Sequence, residues 1–222
     1  MTDLSELAVL PATEQPFTLL FEDEQLLVVS KPTKLLTVPG RHPANKDCLI
    51  SRVQREWPTA SVVHRLDYDT SGIVLLPLTK RALSELSKQF QARSISKQYQ
   101  AVVAGLVEKT QGEINLPIAA DPENRPLYKI CKSGKASVSH FQVVERDSMR
   151  QQSRLLLMPV TGRSHQLRLH TRAIGHPILG DTLYGTPDNI AQAGRLLLHA
   201  CNISFIHPFT AEQMSLTNPA EF

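Results

Sequence analysis

The sequence has little of what proteins use to hold metals or enter membranes. It has three cysteines in 222 residues, and Cys48, Cys131 and Cys201 are too far apart for a CxxC pair or a Cys/His cluster. A zinc site is therefore not expected. We expect the three cysteines to be reduced, buried thiols. No apolar run is long enough to cross a bilayer, and the first residues lack the basic region of a signal peptide. We expect a cytoplasmic protein that contains no metal.

The motifs of several common enzyme classes are also missing. There is no Walker loop and no Gly-rich dinucleotide loop. His165 and His170 lie five residues apart with no glutamate between them, so the metalloprotease motif is absent. Ser71 is not part of a GxSxG nucleophile elbow. The eight histidines show no spacing typical of metal ligands. No cofactor is expected.

Charge is unevenly distributed along the chain. The net charge is only +3, but residues 1–30 contain six acidic and no basic residues, and residues 31–175 contain 23 basic and 11 acidic ones. A basic middle between acidic ends suggests an anionic partner such as nucleic acid. The alternative is a solvated surface on which the two signs mix in three dimensions.

Apolar runs separated by turn residues predict many strands and few helices. Residues 1–16, acidic and interrupted by Pro11 and Pro16, predict a frayed or surface arm, and residues 17–222 a single domain. Strands are expected at 17–21, 26–30, 62–63, 73–78, 98–103, 136–146, 153–160, 196–206 and 214–216. Helices are expected at 48–57, at 80–92 with Thr79 as N-cap, and at 164–173; residues 117–134 are expected to form a long exposed loop. The predicted fold is α+β, with a mixed, mainly antiparallel sheet flanked by helices and loops.

The densest polar turn, residues 64–72, lies between two apolar strands, where a fold can hold a reactive group. Asp67 and Asp69 are two residues apart, and a pair of carboxylates is typical of glycosidic chemistry. The alternative is a turn in which Asp and Thr side chains bond to backbone groups. The sequence alone leaves both interpretations open.

A second polar constellation opens the third predicted helix. His165, Arg168 and Arg172 share one helix face, and the arginines could bind a carboxylate or phosphates through two parallel bonds. A solvated basic face is the alternative. Tyr99 lies in a polar stretch beside Lys97, which favours a platform for base stacking, although a tyrosine in a strand is usually part of the core.

In combination, these segments resemble RluA-type pseudouridine synthases. Residues 64–72 are similar to the HRLDxxTSG signature of that family. Further motifs match in order and spacing at residues 22–32, 97–99, 161–168 continuing to 175–181, and 195–200. The resemblance covers about residues 17–222 and implies the family's α+β catalytic fold. An additional S4 RNA-binding domain is not expected, because only about 16 residues precede the first matching strand.

The resemblance implies that uridine in structured RNA is isomerised to pseudouridine after the base has been flipped out of its stack. Asp67 matches the catalytic carboxylate of the family, and Arg168 matches the arginine that pairs with it. Tyr99 matches the tyrosine that stacks on the target base. Arg65 matches the residue that fills the vacated space. Leu198 matches an apolar pocket residue, for which core packing is the alternative role.

The short form of the chain resembles family members that act on both a 23S rRNA hairpin loop and the tRNA anticodon stem-loop. Four basic residues in and after the predicted loop could grip phosphates or be merely solvated: Arg125, Lys129, Lys132 and Lys135. The alternatives are a synthase of this type with a different RNA target, and an RNA-binding protein without catalysis. A monomer is expected.

Overall fold

The computed structural model describes residues 8–222, which divide into two compact units. The first unit comprises residues 8–95 and Asn202–Asn218, and the second comprises Ser96–Cys201 and Pro219–Phe222. Both units consist mainly of antiparallel strands with few helices, which confirms the predicted α+β class. A single catalytic domain over residues 17–222 stays a prediction.

The first unit is built around a strand that has a partner on each side. Its strands are β1 (Thr18–Glu22), β2 (Leu26–Lys31) and β3 (Ser71–Pro77), with α1 (Leu49–Val53) and α2 (Lys80–Ala92). Strand β2 pairs antiparallel with both β1 and β3. Every residue of β3 is buried, so this strand forms the centre of the unit's core. The unit also contains the end of β10 (Leu198–Ile206), which pairs with β11 (Gln213–Thr217).

Helix α2 has the limits that the sequence predicts. The hydroxyl of Thr79 accepts the N–H of Ala82 at 3.1 Å, the expected N-cap bond. Arg93 ends the helix in the left-handed conformation with φ of 58°. Leu86 is fully buried and packs against residues of β2 and β3 such as Val28 and Leu75. The amphipathic pattern therefore predicts both the helix and its buried face.

The second unit contains four antiparallel strands in the order β4 (Ser96–Ala104), β9 (Gln152–Pro159), β8 (Val138–Asp147) and β5 (Gln111–Asn115). A separate hairpin is formed by β6 (Ile118–Ala120) and β7 (Tyr128–Ile130). The helices are α3 (Gln166–Ala173) and α4 (Pro187–Ala191). One apolar cluster, which includes Ala101, Leu157 and Leu198, joins β4, β9 and the start of β10.

Some elements differ from the prediction. Residues 117–134 are not one long loop, because Ile118–Ala120 pair with Tyr128–Ile130. Strand β5 and helix α4 were not predicted, and residues 62–63 form no strand. The hairpin was missed because its prolines indicate a loop, whereas contacts with residues distant in sequence, such as Leu169, hold it in place.

The predicted arm is partly described. Residues 1–7 lie outside the described residues. Residues 8–16 form no helix or strand, but their backbone is bonded to the first unit. The N–H of Thr13 donates to the carbonyl of Lys34 at 2.9 Å, and the guanidinium of Arg52 donates to the Thr13 carbonyl at 2.5 Å. The described part is therefore a surface segment fixed by hydrogen bonds.

All three cysteines are free thiols. Cys48 and Cys201 are buried as expected, whereas Cys131 is partly exposed. Burial raises the pKa of the Cys201 thiol. No helix within residues 8–222 has both the length and the apolar character needed to cross a membrane.

Candidate functional site

The residues matched to the family are divided between the two units. Arg65 and Asp67 belong to the first, and Tyr99, Arg168 and Leu198 belong to the second. Asp67 and Tyr99 are half-buried, Arg65 is exposed, and Arg168 and Leu198 are buried. Two of the five are thus supported from within the core, and the other three reach solvent.

Asp67 lies in the turn that leads into β3, and hydrogen bonds fix the backbone of this turn. The hydroxyl of Thr37 donates to the carbonyl of Leu66 at 2.8 Å and accepts the N–H of the same residue at 3.1 Å. The carbonyl of Asp67 accepts the N–H of Thr70 at 3.2 Å. The main chain is therefore held on both sides of the aspartate.

The next two carbonyls of the turn are bonded to the end of β2 and the segment after it. Lys31 is fully buried, and its Nζ donates to the carbonyl of Tyr68 at 3.3 Å. The hydroxyl of Thr33 donates to the carbonyl of Asp69 at 2.7 Å. Strand pairing places these groups together, because Lys31 lies opposite Gly72 in the β2–β3 ladder. The Asp67 turn is thus set by the sheet itself.

His64 attaches the start of the turn to β3. Its Nε2 accepts the N–H of Leu75 at 2.9 Å, so this nitrogen carries no proton in the folded state. Its ring stacks on Phe90 with centroids 4.9 Å apart. Arg65, the next residue, is exposed.

Removing the Thr37 hydroxyl should destabilise the protein. In Thr37→Val the N–H and C=O of Leu66 lose their partner in a buried site, and we expect the free energy of unfolding to fall by about 1–3 kcal/mol. Thr70→Val is the matched control, because the buried Thr70 hydroxyl has no hydrogen-bond partner within residues 8–222. Urea unfolding should show little or no loss for this control. Equal losses in the two variants would contradict the assigned role of Thr37.

Tyr99 lies in β4 opposite Leu157 of β9 and packs against the apolar cluster of the second unit. Lys97 is two residues earlier and therefore points to the same side of the strand. Burial lowers the pKa of Lys97. Its Nζ lies 3.7 Å from where a Cβ would stand on Gly162. A half-buried lysine thus shares a strand face with the predicted stacking tyrosine.

Arg168 lies in α3, and a carboxylate holds it through two parallel bonds. Its Nε donates to Oδ2 of Asp181 at 2.8 Å and its Nη2 donates to Oδ1 at 2.5 Å. Both side chains are only 1% exposed. A solvated basic face is therefore wrong for Arg168, and the predicted two-bond contact with a carboxylate is observed with Asp181 as partner. The Nη1 group takes no part in this contact, and the pairing of Arg168 with Asp67 stays a prediction.

Leu198 is 3% exposed and belongs to the apolar core cluster of the second unit. The core-packing role that was the alternative for this residue is therefore observed. A contact with the substrate base stays a prediction.

The four basic residues in and after the predicted loop are all exposed: Arg125, Lys129, Lys132 and Lys135. The Nζ of Lys129 lies 3.2 Å from Oδ1 of Asp121. Hydrogen bonds from the side chains of Asn124 and Lys129 lower the pKa of Asp121. A phosphate group would have to compete with Asp121 for Lys129, so the other three cations are the stronger candidates for RNA contacts.

Within residues 8–222, no group of three or more His, Cys, Asp or Glu side chains is placed to hold a metal ion. The polar groups described above include hydroxyls, carboxylates, lysine amines, arginine guanidiniums and the imidazole of His64. Such groups are suited to nucleophilic and acid–base chemistry.

Comparison with known proteins identifies the family. The family model of RNA pseudouridylate synthases matches residues 25–173, about two thirds of the chain. The chain belongs to this family. The Dual-specificity RNA pseudouridine synthase RluA of Escherichia coli (strain K12) is 44% identical over 213 residues, which cover 96% of this chain and 97% of the relative. The protein of the same name from Yersinia pestis is 47% identical over 204 residues, 91% of this chain and 98% of the relative.

A solved structure supports the same assignment for this synthase. Human RNA Pseudouridylate Synthase Domain Containing 1 is 27% identical, with a TM-score of 0.80, and the match covers 96% of this chain and 86% of the human one. The predicted family and fold are therefore confirmed. The protein is an RNA pseudouridine synthase, an isomerase that acts on uridine in RNA.

Several residues that support the site of this synthase were not singled out by sequence reasoning. Asp181 and Lys31 were noted only as parts of matching motifs, and Thr37 was not noted at all. A lysine or threonine in an apolar segment is the detectable cue for Lys31 and Thr37, since a polar side chain there needs a buried partner. The bonding partner itself cannot be deduced from spacing, because Asp181 lies 13 residues after Arg168.

Proposed function

We propose that this synthase modifies uridines in two kinds of RNA stem-loop, a 23S rRNA hairpin and the tRNA anticodon arm, and that it acts as a cytoplasmic monomer. One observation carries the proposal: relatives named dual-specificity synthases are similar to this chain over nearly the full length of both proteins. RNA targets of another kind are the alternative, with the same chemistry at the same residues.

Asp67 is the carboxylate that starts the reaction in this proposal. It either attacks C1′ of the target ribose or removes a proton from the sugar, and in both routes the N1–C1′ bond breaks and the electron pair leaves with uracil. The uracil turns and C5 bonds to C1′; in the first route the Asp67–C1′ ester bond breaks at this step, and in the second the sugar regains its proton from Asp67. The proton on C5 is then lost and N1 gains one, so Asp67 ends as it began. One carboxylate suffices because the leaving group is kept and used again, unlike in glycoside hydrolysis.

Arg168 and Tyr99 complete the proposed chemistry. Arg168 supplies the positive charge that balances an ionised Asp67, and its bidentate contact with Asp181 supports this role because it fixes the guanidinium plane. Tyr99 stacks on the flipped uracil, and its position on the edge of the apolar cluster supports that contact. Leu198 borders the base on its apolar side.

RNA binding is assigned to exposed cations in both units. Arg65 fills the space from which the uridine flips, since a planar guanidinium can stack between bases. Arg125, Lys132 and Lys135 bind phosphates near the β6–β7 hairpin, with Lys129 as a weaker contributor. Contacts of this kind release counterions, so RNA affinity should fall steeply with salt.

The target proposal is tested with two synthetic RNAs, the tRNA anticodon stem-loop and the 23S rRNA hairpin. We expect pseudouridine in both after incubation with the purified protein, and none when the target uridine is replaced by cytidine. Modification of only one stem-loop would contradict dual specificity. Modification of total RNA at other positions would establish a different target. Release of free uracil would instead indicate the two-carboxylate glycosidic reaction.

A further inference from the structure

The turn from Asp181 to Tyr184 holds the guanidinium of Arg168 from two directions. Besides the bonds to Arg168, Oδ1 of Asp181 accepts the N–H groups of Leu183 at 3.0 Å and Tyr184 at 3.1 Å. One carboxylate therefore orders both the turn and the arginine. The turn then places the ring of Tyr184 against the guanidinium, with Cζ of Arg168 5.3 Å from the ring centroid.

The hydroxyl of Tyr184 contacts residues other than Arg168. Tyr184 is 5% exposed, and its Oη accepts the backbone N–H of Tyr128 at 2.9 Å. The same Oη lies 2.7 Å from Nδ1 of His165. Since a backbone N–H can only donate, the hydroxyl accepts the bond from Tyr128. The tautomer of His165 sets which of the two atoms donates in the bond between Oη and Nδ1. The ring of His165 makes edge contacts with the rings of Tyr128 and Tyr184, at 5.3 Å and 5.5 Å between centroids.

This hydroxyl joins two elements that are distant in sequence. Tyr128 is the first residue of β7, in the hairpin that carries or adjoins the exposed cations. His165 is the N-cap of α3 and has the left-handed conformation with φ of 55°, three residues before Arg168. Apolar contacts surround the bond, from Ile118, Leu127, Tyr128, Ile130, Leu169, Leu183 and Tyr184. The Tyr184 hydroxyl therefore bridges β7 and the start of the arginine helix within an apolar contact. A second bond, 3.0 Å between Nε2 of His170 and the carbonyl of Leu116, joins the same helix to the segment just before β6.

We infer that Tyr184 is a positioning residue that sets the basic β6–β7 hairpin relative to Arg168. The inference rests on the proposed function, in which the hairpin binds RNA phosphates and Arg168 serves the reaction. The ring of Tyr184 holds the guanidinium of Arg168, and its hydroxyl holds the hairpin. An RNA stem-loop bound by the hairpin is therefore placed at a defined position relative to Arg168. Loss of the hydroxyl alone should weaken RNA binding without changing the position of Arg168.

The Tyr184→Phe variant tests this division of labour, because it keeps the ring and removes only the hydroxyl. With whichever stem-loop the wild type modifies, we expect KM to rise about 10-fold and kcat at saturating RNA to change less than about threefold. Tyr184→Leu removes the ring as well, and kcat should then fall too. Steady-state kinetics of pseudouridine formation measure both constants.

Tyr128→Phe is the matched hydroxyl deletion in the same aromatic cluster. It leaves the backbone N–H of Tyr128 in place, so its effect on KM should be much smaller than that of Tyr184→Phe. A fall in kcat with unchanged KM in Tyr184→Phe would overturn the inference, as would wild-type values for both constants. If the wild type itself made no pseudouridine, the proposed function would fail instead.

Amide hydrogen exchange gives a second measurement, which begins with the wild type. In the wild type, the N–H of Tyr128 should exchange with deuterium as slowly as the amides of α3, because the Tyr184 hydroxyl holds it in the folded state. If this amide exchanged fast while the amides of α3 exchanged slowly, the result would contradict the inference that the hydroxyl holds the hairpin. In a folded Tyr184→Phe protein, exchange should accelerate in Ile118–Ala120 and Tyr128–Ile130 and stay slow at Arg168.

Discussion

The Asp67→Asn variant is expected to form pseudouridine at least ~1,000-fold more slowly than the wild type while it still binds the RNA substrate. The amide has the shape of the carboxylate, so the turn keeps its backbone bonds to Thr37, Lys31 and Thr33. An amide can neither attack C1′ nor accept a proton from the sugar at neutral pH. Pseudouridine mapping measures the reaction, and a filter-binding assay measures affinity for the stem-loop.

Asp69→Asn provides the matched control for Asp67→Asn. The two carboxylates lie two residues apart in the same turn, and the Thr33 bond to Asp69 involves its backbone carbonyl rather than its side chain. A one-carboxylate mechanism therefore predicts that Asp69→Asn retains most of the activity. Loss of activity in both variants would favour the paired-carboxylate chemistry that the sequence left open. Residual activity of Asp67→Asn above a few per cent of wild type would remove Asp67 from its assigned role.

Local sequence patterns were sufficient to predict an element when the residues that begin and end it belong to the element or adjoin it. Helix α2 begins after Thr79, whose cap bond is a contact between neighbours three residues apart, and its amphipathic pattern needs no distant partner. The polar turn before β3 was also recognisable, because polar residues between two apolar strands seldom lie in a core. Both features depend on residues that are adjacent in sequence.

The same signals failed where distant residues decide the structure. The β6–β7 hairpin contains prolines that indicate a loop, and Leu169 and Tyr184 hold it in place from far along the chain. The position of Arg168 on a polar helix face was compatible with a solvent-exposed side chain and also with a side chain that binds a ligand. Its burial follows from Asp181, whose position in the turn cannot be deduced from periodicity. Family resemblance identified the arginine, and only the structure identified what holds it.

The ion pair of Arg168 and Asp181 yields the largest expected effect on stability. In Asp181→Asn the buried guanidinium keeps its charge and loses its counter-ion, and one side-chain oxygen becomes an amide donor that opposes the donor at Nε. Breaking one side of a buried pair costs about 3–5 kcal/mol, a large part of the stability of an ordinary domain. We expect a drop of that size in the free energy of unfolding by guanidinium chloride, together with loss of activity.

Asp121→Asn should change stability far less, because its partner Lys129 is exposed and solvent screens the pair.

A double variant separates the contribution of packing from that of chemistry at the Arg168–Asp181 pair. Replacing both partners by apolar residues of similar volume, Arg168→Met with Asp181→Leu, removes the unpaired charge. Stability should recover in part, because the N–H groups of Leu183 and Tyr184 still lose their acceptor. Activity should not recover, because the guanidinium is gone. A double variant that regained both properties would show that Arg168 only fills space, whereas recovery of stability alone would assign the arginine to the reaction.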